Sequence, residues 1–582
     1  MNQLFRGIDL DLRRPGNPAA CGIFHLGAQG STVTDVTVRA SQSSFACACG
    51  LNGAGGMHSN LVCDGGRYGL YIEDAQPVPS GVGITLLRQS VSAVTFISQE
   101  TLSLVGVTIV LPEFATGAAV TQICTASPQT ALARDRGKSM SLIDVSITCE
   151  GSSQRAIATN RTLYARDLWV HGCGVAIDQG GAPVVHGPPP SQWLHVSEYA
   201  KGGADLSPWY RTDVVYKAGK RVAGGVVSRS SVGSTGPPAD LLSKHLWDES
   251  FPDMGTPGVA DAKAVCGAKA DGHTDDTASL QACLSTHRSV FLPPGLYRIS
   301  DTLELPPGGS LVGMNNAASI LLASSSGFPK ASATSPRPML RTAEDIGPGA
   351  RPTVIAFVGV VTWQHLDLVS TLDWRTQHPS SLWRTNFESR DCECLWLSAY
   401  QQLAPTIVPC KLPVNITIPK SVFRGLGRIH GFVNDDTGAI ISTGAKFRSL
   451  LVANTSRFSS PSRRLRLYSV NLEHAQTEAN GEIANSSFVD VYSIKGEGNT
   501  PLLWVRGDTR NVSVLGFGGD PTAFPFNFTQ PSDFAQLSAS MFRVSKGARG
   551  VSMACLTDHG SGAKPPYWPP SNGHCKPVCC WY

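Results

Sequence analysis

Two glutamates near the end of the chain have a spacing that suits acid–base chemistry on a glycosidic bond. Glu473 and Glu497 are 24 residues apart, about one coil of the strand repeat described below. Such a spacing stacks two residues on neighbouring strands, whose backbones lie about 4.8 Å apart. Glycoside hydrolysis needs two carboxyl groups on either side of one bond, roughly 5 to 9 Å apart. The alternative is a solvated acidic face, which would also include Glu478 and Glu482.

Two further residues adjoin this pair in the sequence. His474 follows Glu473, where it could tune the carboxylate or serve as a hydrogen-bonded structural histidine. Lys495 is two residues from Glu497, and residues two apart on a strand share a face. A cation there would lower the pKa of Glu497 and weaken it as a proton donor.

Short strands with alternating apolar and polar residues recur along the chain. They occur at residues 33–38 (VTDVTV), 104–109 (LVGVTI), 142–147 (LIDVSI), 165–170 (ARDLWV), 488–494 (FVDVYSI) and 509–514 (TRNVSV). Asp144 and Asp167 are 23 residues apart, and Asp490 and Asn511 are 21 apart. A strand returning every 20–25 residues or so predicts a parallel β-solenoid, in which stacked coils share one core. A β-sandwich with similar strand spacing is the alternative.

Composition excludes several classes of protein. Of 582 residues, 16% are charged and 42% are hydrophobic, with 59 Gly, 39 Pro and a net charge of +4. These values disfavour helix bundles, disorder and nucleic-acid binding. No apolar run reaches the roughly 20 residues of a membrane span. CxxC…CxxC and HExxH patterns are missing, so we expect no metal and no cofactor.

The organisation predicts two solenoid domains. We expect a first β-helix at residues 1–178 and a packed, Gly/Pro-rich and aromatic linker at 179–258. A second β-helix follows at 259–545, and a Cys-rich tail at 546–582. Asp275 or Asp276 can N-cap a short helix that covers the open end of the second solenoid. Leu280, Cys283 and Leu284 would form its apolar face.

The start of the second solenoid carries a specific resemblance. Residues 267–278 (GAKADGHTDDTA) and 290–299 (VFLPPGLYRI) resemble the opening of the pectate-lyase-like, right-handed parallel β-helix superfamily. That resemblance implies an all-β fold of two right-handed parallel β-helices. It also implies that the aspartates of this opening are architectural.

A narrower resemblance covers most of the chain. Residues 22–29 (GIFHLGAQ), 50–56 (GLNGAGG), 65–69 (GGRYG), 472–474 (LEH) and 495–497 (KGE) resemble motifs of the family-55 glycoside hydrolases, which are β-1,3-glucanases. The resemblance implies that Glu497 is the general acid and that Glu473 positions or activates the water. Gln29 would join the water-binding network from the first domain, and the reaction would proceed with inversion.

Three departures weaken the match to that family. Ala54 replaces a Ser expected to hold the nucleophilic water, and Ala removes that hydroxyl. Lys495 replaces a Gln, and Phe24-His25 replaces the usual aromatic setting. They raise the alternative of a non-catalytic, carbohydrate-binding or cell-surface β-helix.

Trp residues supply candidate platforms for sugar stacking. They are Trp363, Trp374, Trp383, Trp396 and Trp504, of which we expect one or two to line a cleft. Asp435-Asp436 is a second acidic pair, which could bind substrate or calcium but fits a turn better.

The remaining signals concern the compartment. Six Asn-x-Ser/Thr sequons lie at Asn160, Asn415, Asn454, Asn485, Asn511 and Asn527. With 16 cysteines, they suggest a secreted, disulfide-containing glycoprotein. The first solenoid lacks the opening motif of the second, so we expect natural coils and a signal peptide upstream of Met1.

We therefore expect an extracellular or cell-wall glycosidase that acts as a monomer on a β-glucan, with β-1,3-glucan favoured. A calcium-dependent pectate or uronate lyase is the other enzymatic alternative.

Overall fold

The computed structural model describes most of the chain. The described residues are 3–14, 17–27, 30–75, 78–98, 100–122, 139–202, 215–217, 220–247, 251–252, 255–324, 326, 328–331, 336–344, 351–363, 368–377, 380–383, 386–390, 417–431, 433–434, 446–473, 479–497, 501–520 and 542–556.

Nineteen strands among these residues precede residue 234. They are β1 Leu4–Leu12, β2 Cys21–Phe24, β3 Thr32–Ala40, β4 Ala46–Leu51, β5 Met57–Asp64, β6 Tyr68–Ala75, β7 Ser80–Leu87, β8 Ser92–Phe96, β9 Thr101–Leu111, β10 Val120–Gln122, β11 Ser139–Cys149, β12 Arg155–Thr159, β13 Thr162–His171, β14 Val175–Gln179, β15 Ala182–His186, β16 Trp193–Lys201, β17 Tyr216–Lys217, β18 Lys220–Arg221 and β19 Val226–Gly233. Short 3-10 turns occur at Ala223–Gly225 and Ser243–His245.

The second half contains the helix α1 Thr277–Thr286, a 3-10 turn at Thr455–Arg457 and further strands. These are β20 Val259–Asp261, β21 Asp271–Asp275, β22 Ser289–Leu292, β23 Gly295–Ile299, β24 Leu303–Leu305, β25 Ser310–Gly313, β26 Ser319–Ala323, β27 Arg337–Thr342, β28 Val354–Ala356, β29 Gly359–Trp363, β30 Val369–Trp374, β31 Ser381–Trp383, β32 Asn386–Arg390, β33 Thr417–Phe423, β34 Gly427–His430, β35 Val433–Asn434, β36 Lys446–Ala453, β37 Leu465–Glu473, β38 Gly481–Ala484, β39 Ser487–Glu497, β40 Leu503–Arg506, β41 Arg510–Asp520, β42 Phe542–Val544 and β43 Arg549–Leu556.

Alternate strands stack into long parallel sheets, which is the topology of a β-helix. In the first half, a nine-stranded sheet runs β1-β3-β5-β7-β9-β11-β13-β16-β19 beside an eight-stranded sheet of β2, β4, β6, β8, β10, β12, β14 and β15. In the second half, a sixteen-stranded sheet lies beside an eight-stranded one. Each half encloses its own apolar core. The all-β fold of two parallel β-helices predicted from the sequence is confirmed.

The segment predicted as a linker contributes to the first β-helix. Strand β16 adds antiparallel to β13, and β19 adds antiparallel to β16. Strand β15 closes the other sheet antiparallel to β14. The part that lies against the second β-helix is the stretch around the 3-10 turn Ser243–His245 and Phe251.

A row of left-handed residues bends the nine-stranded sheet at the same place on every parallel coil. Positive φ occurs at Gly7, Asp35, Asn60, Gly83, Gly106, Asp144 and Asp167. The flanking residues pair in register, so these seven positions stack on one another. Asp144 and Asp167, which mark the repeat in the first half of the sequence, thus lie at its bends, because Asp and Asn tolerate this conformation. In the second half, Asn511 has a positive φ, whereas Asp490 does not and pairs with Ser513.

The capping helix forms as predicted, with a different role for one aspartate. Leu280, Cys283 and Leu284 are its buried residues. Asp276 occupies the N-cap position without a side-chain cap bond; its carboxylate instead accepts the amides of Lys269 and Ala270 at 2.7 and 2.9 Å. The disulfide Cys266–Cys283 fastens the helix to this turn.

The two β-helices meet through a third apolar cluster. It contains Val82, Val105 and Ile143 from the first β-helix, and Tyr468, Tyr492 and Leu515 from the second. Phe251 lies between them in the same cluster. Among the described residues, no helix has the length and apolarity to cross a membrane.

Candidate functional site

The two candidate glutamates lie side by side on adjacent strands. Glu473 ends β37 and pairs in parallel register with Glu497 at the end of β39. Glu497 pairs in turn with Asp520 at the end of β41. Three acidic residues therefore occupy one row across three coils, so the adjacency predicted from the 24-residue spacing is confirmed at the level of the backbone.

A second row runs parallel to the acidic one, two residues earlier on each strand. It consists of Asn471, Lys495 and Gly518. Asn471 is fully buried and Lys495 is only 5% exposed. Neither end of the Asn471 amide has a hydrogen-bond partner within the described part of the chain. Sequence reasoning identified Lys495 but missed Asn471, which carries no local signal.

A loop of the first β-helix touches the strand that carries Glu473. The hydroxyl of Ser469, on β37, donates a 2.6 Å hydrogen bond to the carbonyl of Gly56. Gly56 ends the turn that contains Ala54, and Ala54 accepts the amide of Gly30 at 3.0 Å. The Gly50–Gly56 segment of the first β-helix and the strand that carries Glu473 in the second are therefore in contact. Both segments resemble family-55 motifs, and the two bonded residues are 413 residues apart in sequence.

The turn around Ala54 is tightly built. Ala54 is buried and has a φ of 50°, which an L-residue adopts only at a cost. A Cβ at Gly56 would lie 2.1 Å from the carbonyl oxygen of Ser31, so this position requires glycine.

A polar cluster supports the neighbouring turn. Asn52 contacts Nδ1 of His25 and accepts the amide of Gly27 through Oδ1 at 3.0 Å. The backbone N–H of Asn52 donates a hydrogen bond to Nδ1 of His58 at 3.3 Å. Burial, with a smaller contribution from His25, lowers the pKa of His58 to about 3, so His58 is neutral in the folded protein.

Several predicted site residues lie outside the described residues. They are Gln29, His474 and the pair Asp435-Asp436. Their proposed roles stay predictions, as do the catalytic roles of Glu473 and Glu497. Among the described His, Cys, Asp and Glu side chains, no group of three could hold a metal ion.

Two of the five candidate tryptophans are core residues, which agrees with the expectation that only one or two of them line a cleft. Trp374 and Trp383 are fully buried and pack in the interior, so they offer no face to a sugar. Trp504 is partly exposed, but Arg506 and Arg543 lie over its ring at 5.1 and 4.6 Å. Trp396 lies outside the described residues.

A buried polar network joins the β-helices beside this site. His245 contacts Asp144 Oδ2 of the first β-helix at 2.8 Å and the Tyr468 hydroxyl of the second at 2.8 Å. The backbone carbonyl of His245 accepts a hydrogen bond from Nε2 of His430 at 2.8 Å. Lys244 pairs with the other oxygen of Asp144, also at 2.8 Å.

This network fixes the charge state of its members. Burial by itself would raise the pKa of Asp144, but the hydrogen bond from His245 and the charge of Lys244 lower it to about 2. Burial lowers the pKa of His245, and it lowers that of His430 to about 3. The structure therefore holds an ionised Asp144 against neutral histidines.

One protein family matches a segment in the second half of the chain. Residues 265–394 match the family described as rhamnogalacturonase A/epimerase, pectate lyase-like. The chain is thus a double parallel β-helix protein whose second β-helix begins with a pectate-lyase-like segment.

Two curated proteins are similar to parts of the chain. The chain is 25% identical over 306 residues to a glucan 1,3-beta-glucosidase of Cochliobolus carbonum, covering 49% of this chain and 35% of that protein. It is 48% identical over 65 residues to the non-secreted LysM effector LysM19 of Penicillium expansum, covering 10% of this chain and 5% of that protein. The matches thus span about a third or less of these curated relatives.

Among solved structures, SacteLam55A of Streptomyces sp. SirexAA-E aligns over 96% of this chain and 88% of its own, at 11% identity and a TM-score of 0.34. The parallel strand register of the chain itself shows the β-helical fold.

Proposed function

We propose that this protein is a glycoside hydrolase that cleaves a β-glucan, with β-1,3-glucan favoured. The observation that carries the proposal is the register of Glu473 with Glu497 on adjacent strands. Backbones of neighbouring strands lie about 4.8 Å apart, and this spacing supports a pair of carboxyl groups at the separation that glycoside hydrolysis uses.

Glu497 is the general acid and Glu473 positions the attacking water. Asp520 is the next residue in the row, so the acid has a like-charged neighbour on both sides. Like charges at close range raise the pKa of one carboxyl group and keep its proton available. The family-55 resemblance favours inversion of configuration at the anomeric carbon.

The sequence relationship supports the choice of substrate. The relative from Cochliobolus carbonum is a glucan 1,3-beta-glucosidase, and its match covers about half of this chain. The disulfides Cys21–Cys49, Cys149–Cys173 and Cys266–Cys283 support an oxidising compartment. We therefore place the protein outside the cell or in the cell wall.

One observation favours a non-catalytic, glycan-binding protein as the second candidate. The nearly buried Lys495 lies on the same strand as Glu497, two residues away. A cation so close favours the ionised carboxylate, which cannot donate a proton.

The test is hydrolysis of laminarin by the wild type and by Glu497→Gln, with pectate and a neutral α-glucan as other substrates. Glu113→Gln, which removes an exposed carboxylate, is the matched control. We expect release of glucose or oligosaccharides from laminarin, and a loss of about 100-fold or more in kcat for Glu497→Gln alone. Equal activity of the Glu497→Gln variant and the wild type would contradict the proposal.

Two other outcomes would identify a different function. Unsaturated products that absorb in the ultraviolet would identify a lyase. Binding without turnover in the wild type would identify the glycan-binding protein.

A further inference from the structure

A disulfide bond lies at the start of both segments that the first β-helix contributes to the candidate site. It joins Cys21 on β2 to Cys49 on β4, and the two Cα atoms are 6.3 Å apart. Cys21 immediately precedes residues 22–29, and Cys49 immediately precedes residues 50–56. Both segments resemble family-55 motifs, so the bond cross-links the two at their first residues.

The turn between β4 and β5 depends on contacts other than sheet pairing. Residues 52–56 belong to no strand, so the hydrogen-bond ladder of the sheet does not hold them. Oδ1 of Asn52 accepts the backbone N–H of Gly27 at 3.0 Å, and the carbonyl of Ala54 accepts the N–H of Gly30 at 3.0 Å. Each contact reaches across to the chain that follows β2. The turn therefore keeps its shape only while β2 and β4 keep their relative position.

The same turn contacts the second β-helix. The carbonyl of Gly56 accepts the hydroxyl of Ser469 at 2.6 Å, and Ser469 lies on β37, the strand that ends at Glu473. A displacement of about 1 Å at a catalytic site can lower the rate about 100-fold. A change in the turn would therefore reach the strand on which the proposed chemistry depends.

One residue of this disulfide is open to a reductant. Cys21 is partly exposed, whereas Cys49 is buried. A thiolate of a small dithiol can attack Sγ of Cys21, which breaks the S–S bond and leaves a Cys49 thiolate that takes up a proton. The second thiol of the reductant then displaces Cys21 as a thiol and closes the reductant into a disulfide. Two electrons and two protons thus pass from the dithiol to the protein.

We propose that the Cys21–Cys49 disulfide is a redox switch of the candidate site. The intact bond holds residues 22–29 and 50–56 together beside β37, and reduction by a dithiol releases the turn at residues 52–56. The consequence for catalysis, which is loss of glucan hydrolysis in the reduced protein, rests on the proposed function.

A second disulfide of the first β-helix provides a matched control. Cys149–Cys173 has a sequence separation of 24 residues, close to the 28 of Cys21–Cys49. Because the closed loops are of similar length, the chain-entropy model gives the two bonds nearly equal effects on overall stability. Cys149 ends β11, which lies three strands from β5 in the nine-stranded sheet, or about 14 Å. Its loss should leave the turn at residues 52–56 unaffected.

The test is hydrogen exchange, followed by mass spectrometry, on the wild type, on the wild type reduced with dithiothreitol, and on two double variants. These are Cys21→Ser/Cys49→Ser and the control Cys149→Ser/Cys173→Ser. We expect the amides of residues 50–57 to exchange about ten-fold faster in the reduced wild type and in Cys21→Ser/Cys49→Ser. The control variant should exchange them at the wild-type rate. Differential alkylation of the thiols identifies which bonds the dithiothreitol has opened.

Laminarin hydrolysis is measured on the same samples. The value of kcat/KM should fall about ten-fold or more wherever the Cys21–Cys49 bond is missing, and it should stay near the wild-type value in the control variant. Reoxidation of the reduced wild type with oxidised dithiothreitol should restore both the exchange rate and the hydrolysis.

The outcomes separate the switch from the proposed function. Unchanged exchange at residues 50–57 after loss of the Cys21–Cys49 bond overturns the switch, even if laminarin is hydrolysed. Equally fast exchange in the control variant also overturns it, because the effect would then be a general loss of stability. A reduced protein that hydrolyses laminarin at the wild-type rate overturns it as well. Faster exchange confined to loss of this bond supports the switch, and if no form of the protein hydrolyses laminarin, only the proposed function fails.

Discussion

At the scale of single residues, the candidate site combines two acidic residues in register with one departure from the family-55 motif. Glu473 and Glu497 lie in register, while Ala54 stands where the family-55 motif has a Ser. Ala54 lies in a buried turn that is hydrogen-bonded to Gly30 and adjoins Gly56. Under the proposed function, a hydroxyl at this position would hold the nucleophilic water.

We predict that Ala54→Ser raises the kcat for laminarin hydrolysis about five-fold. One hydrogen bond contributes about 1 kcal/mol, and this free energy corresponds to that change in rate. Ala54→Gly is the control, since it changes the backbone preference and supplies no hydroxyl. Equal rates for the two variants, or a slower Ala54→Ser, would show that this position does not hold the water.

At the scale of secondary-structure elements, the row of bends in the nine-stranded sheet forms the docking surface for the segment between the β-helices. A Cβ at Gly83 would lie 2.5 Å from the side chain of Leu246, and one at Gly106 would lie 2.8 Å from that of His245. The next bend, Asp144, binds His245 directly. Gly83 and Gly106 are thus required for two reasons. They allow the positive φ of the bend, and they leave room for the side chains of Leu246 and His245 to approach the sheet.

We predict that Gly106→Ala destabilises the protein more than Gly7→Ala does. Both glycines lie in the same row with φ of 65° and 67°, so both variants acquire roughly 1 kcal/mol of backbone strain. Only Gly106→Ala also clashes, because nothing lies within 4 Å of a Cβ at Gly7. Overpacking adds about 1–3 kcal/mol.

Urea unfolding of the two variants measures the difference. Equal midpoints would mean that the docked segment is not part of the cooperative structure.

At the scale of the whole molecule, buried histidines make the union of the two β-helices sensitive to acid. His430 stacks on Tyr468 with ring centres 4.4 Å apart, and its pKa is lowered to about 3 mainly by burial. The unfolded chain takes up this proton near pH 6.5. Stability is therefore lost as the pH falls from about 6.5 towards 3, at up to about 1.4 kcal/mol per pH unit for each such histidine.

Asp144 acts in the same direction over a lower range. Its folded pKa is about 2, below its ordinary value. Its contribution is therefore present above about pH 4 and disappears as the pH falls towards 2.

We predict that His430→Phe flattens the pH dependence of the unfolding free energy between pH 6 and 4. The substitution keeps an aromatic ring and removes a titrating group, so the slope should fall by about 1.4 kcal/mol per pH unit. Urea unfolding at several pH values gives the slope independently of any overall loss of stability. His273→Gln, at an exposed position, should leave the slope unchanged, and an equal effect of both substitutions would contradict this explanation.

The sequence by itself determined the coils of this protein and the row in which its acidic residues stand. Alternation of apolar and polar residues is a local property, and a repeat of 23 or 24 residues sets the register between β11 and β13, between β37 and β39 and between β39 and β41. The helix face of Leu280, Cys283 and Leu284 followed from the same kind of local periodicity.

Only the tertiary structure decided how the two β-helices meet. His245 joins Asp144 to Tyr468, which are 101 and 223 residues away from it. A cavity on the first β-helix likewise gathers Phe24, Tyr71 and Glu100 from separate coils. Such contacts depend on how whole solenoids curve and pack. The sequence pattern does not reveal them, because each partner residue follows the apolar–polar alternation of its own strand and nothing in that alternation identifies the distant partner.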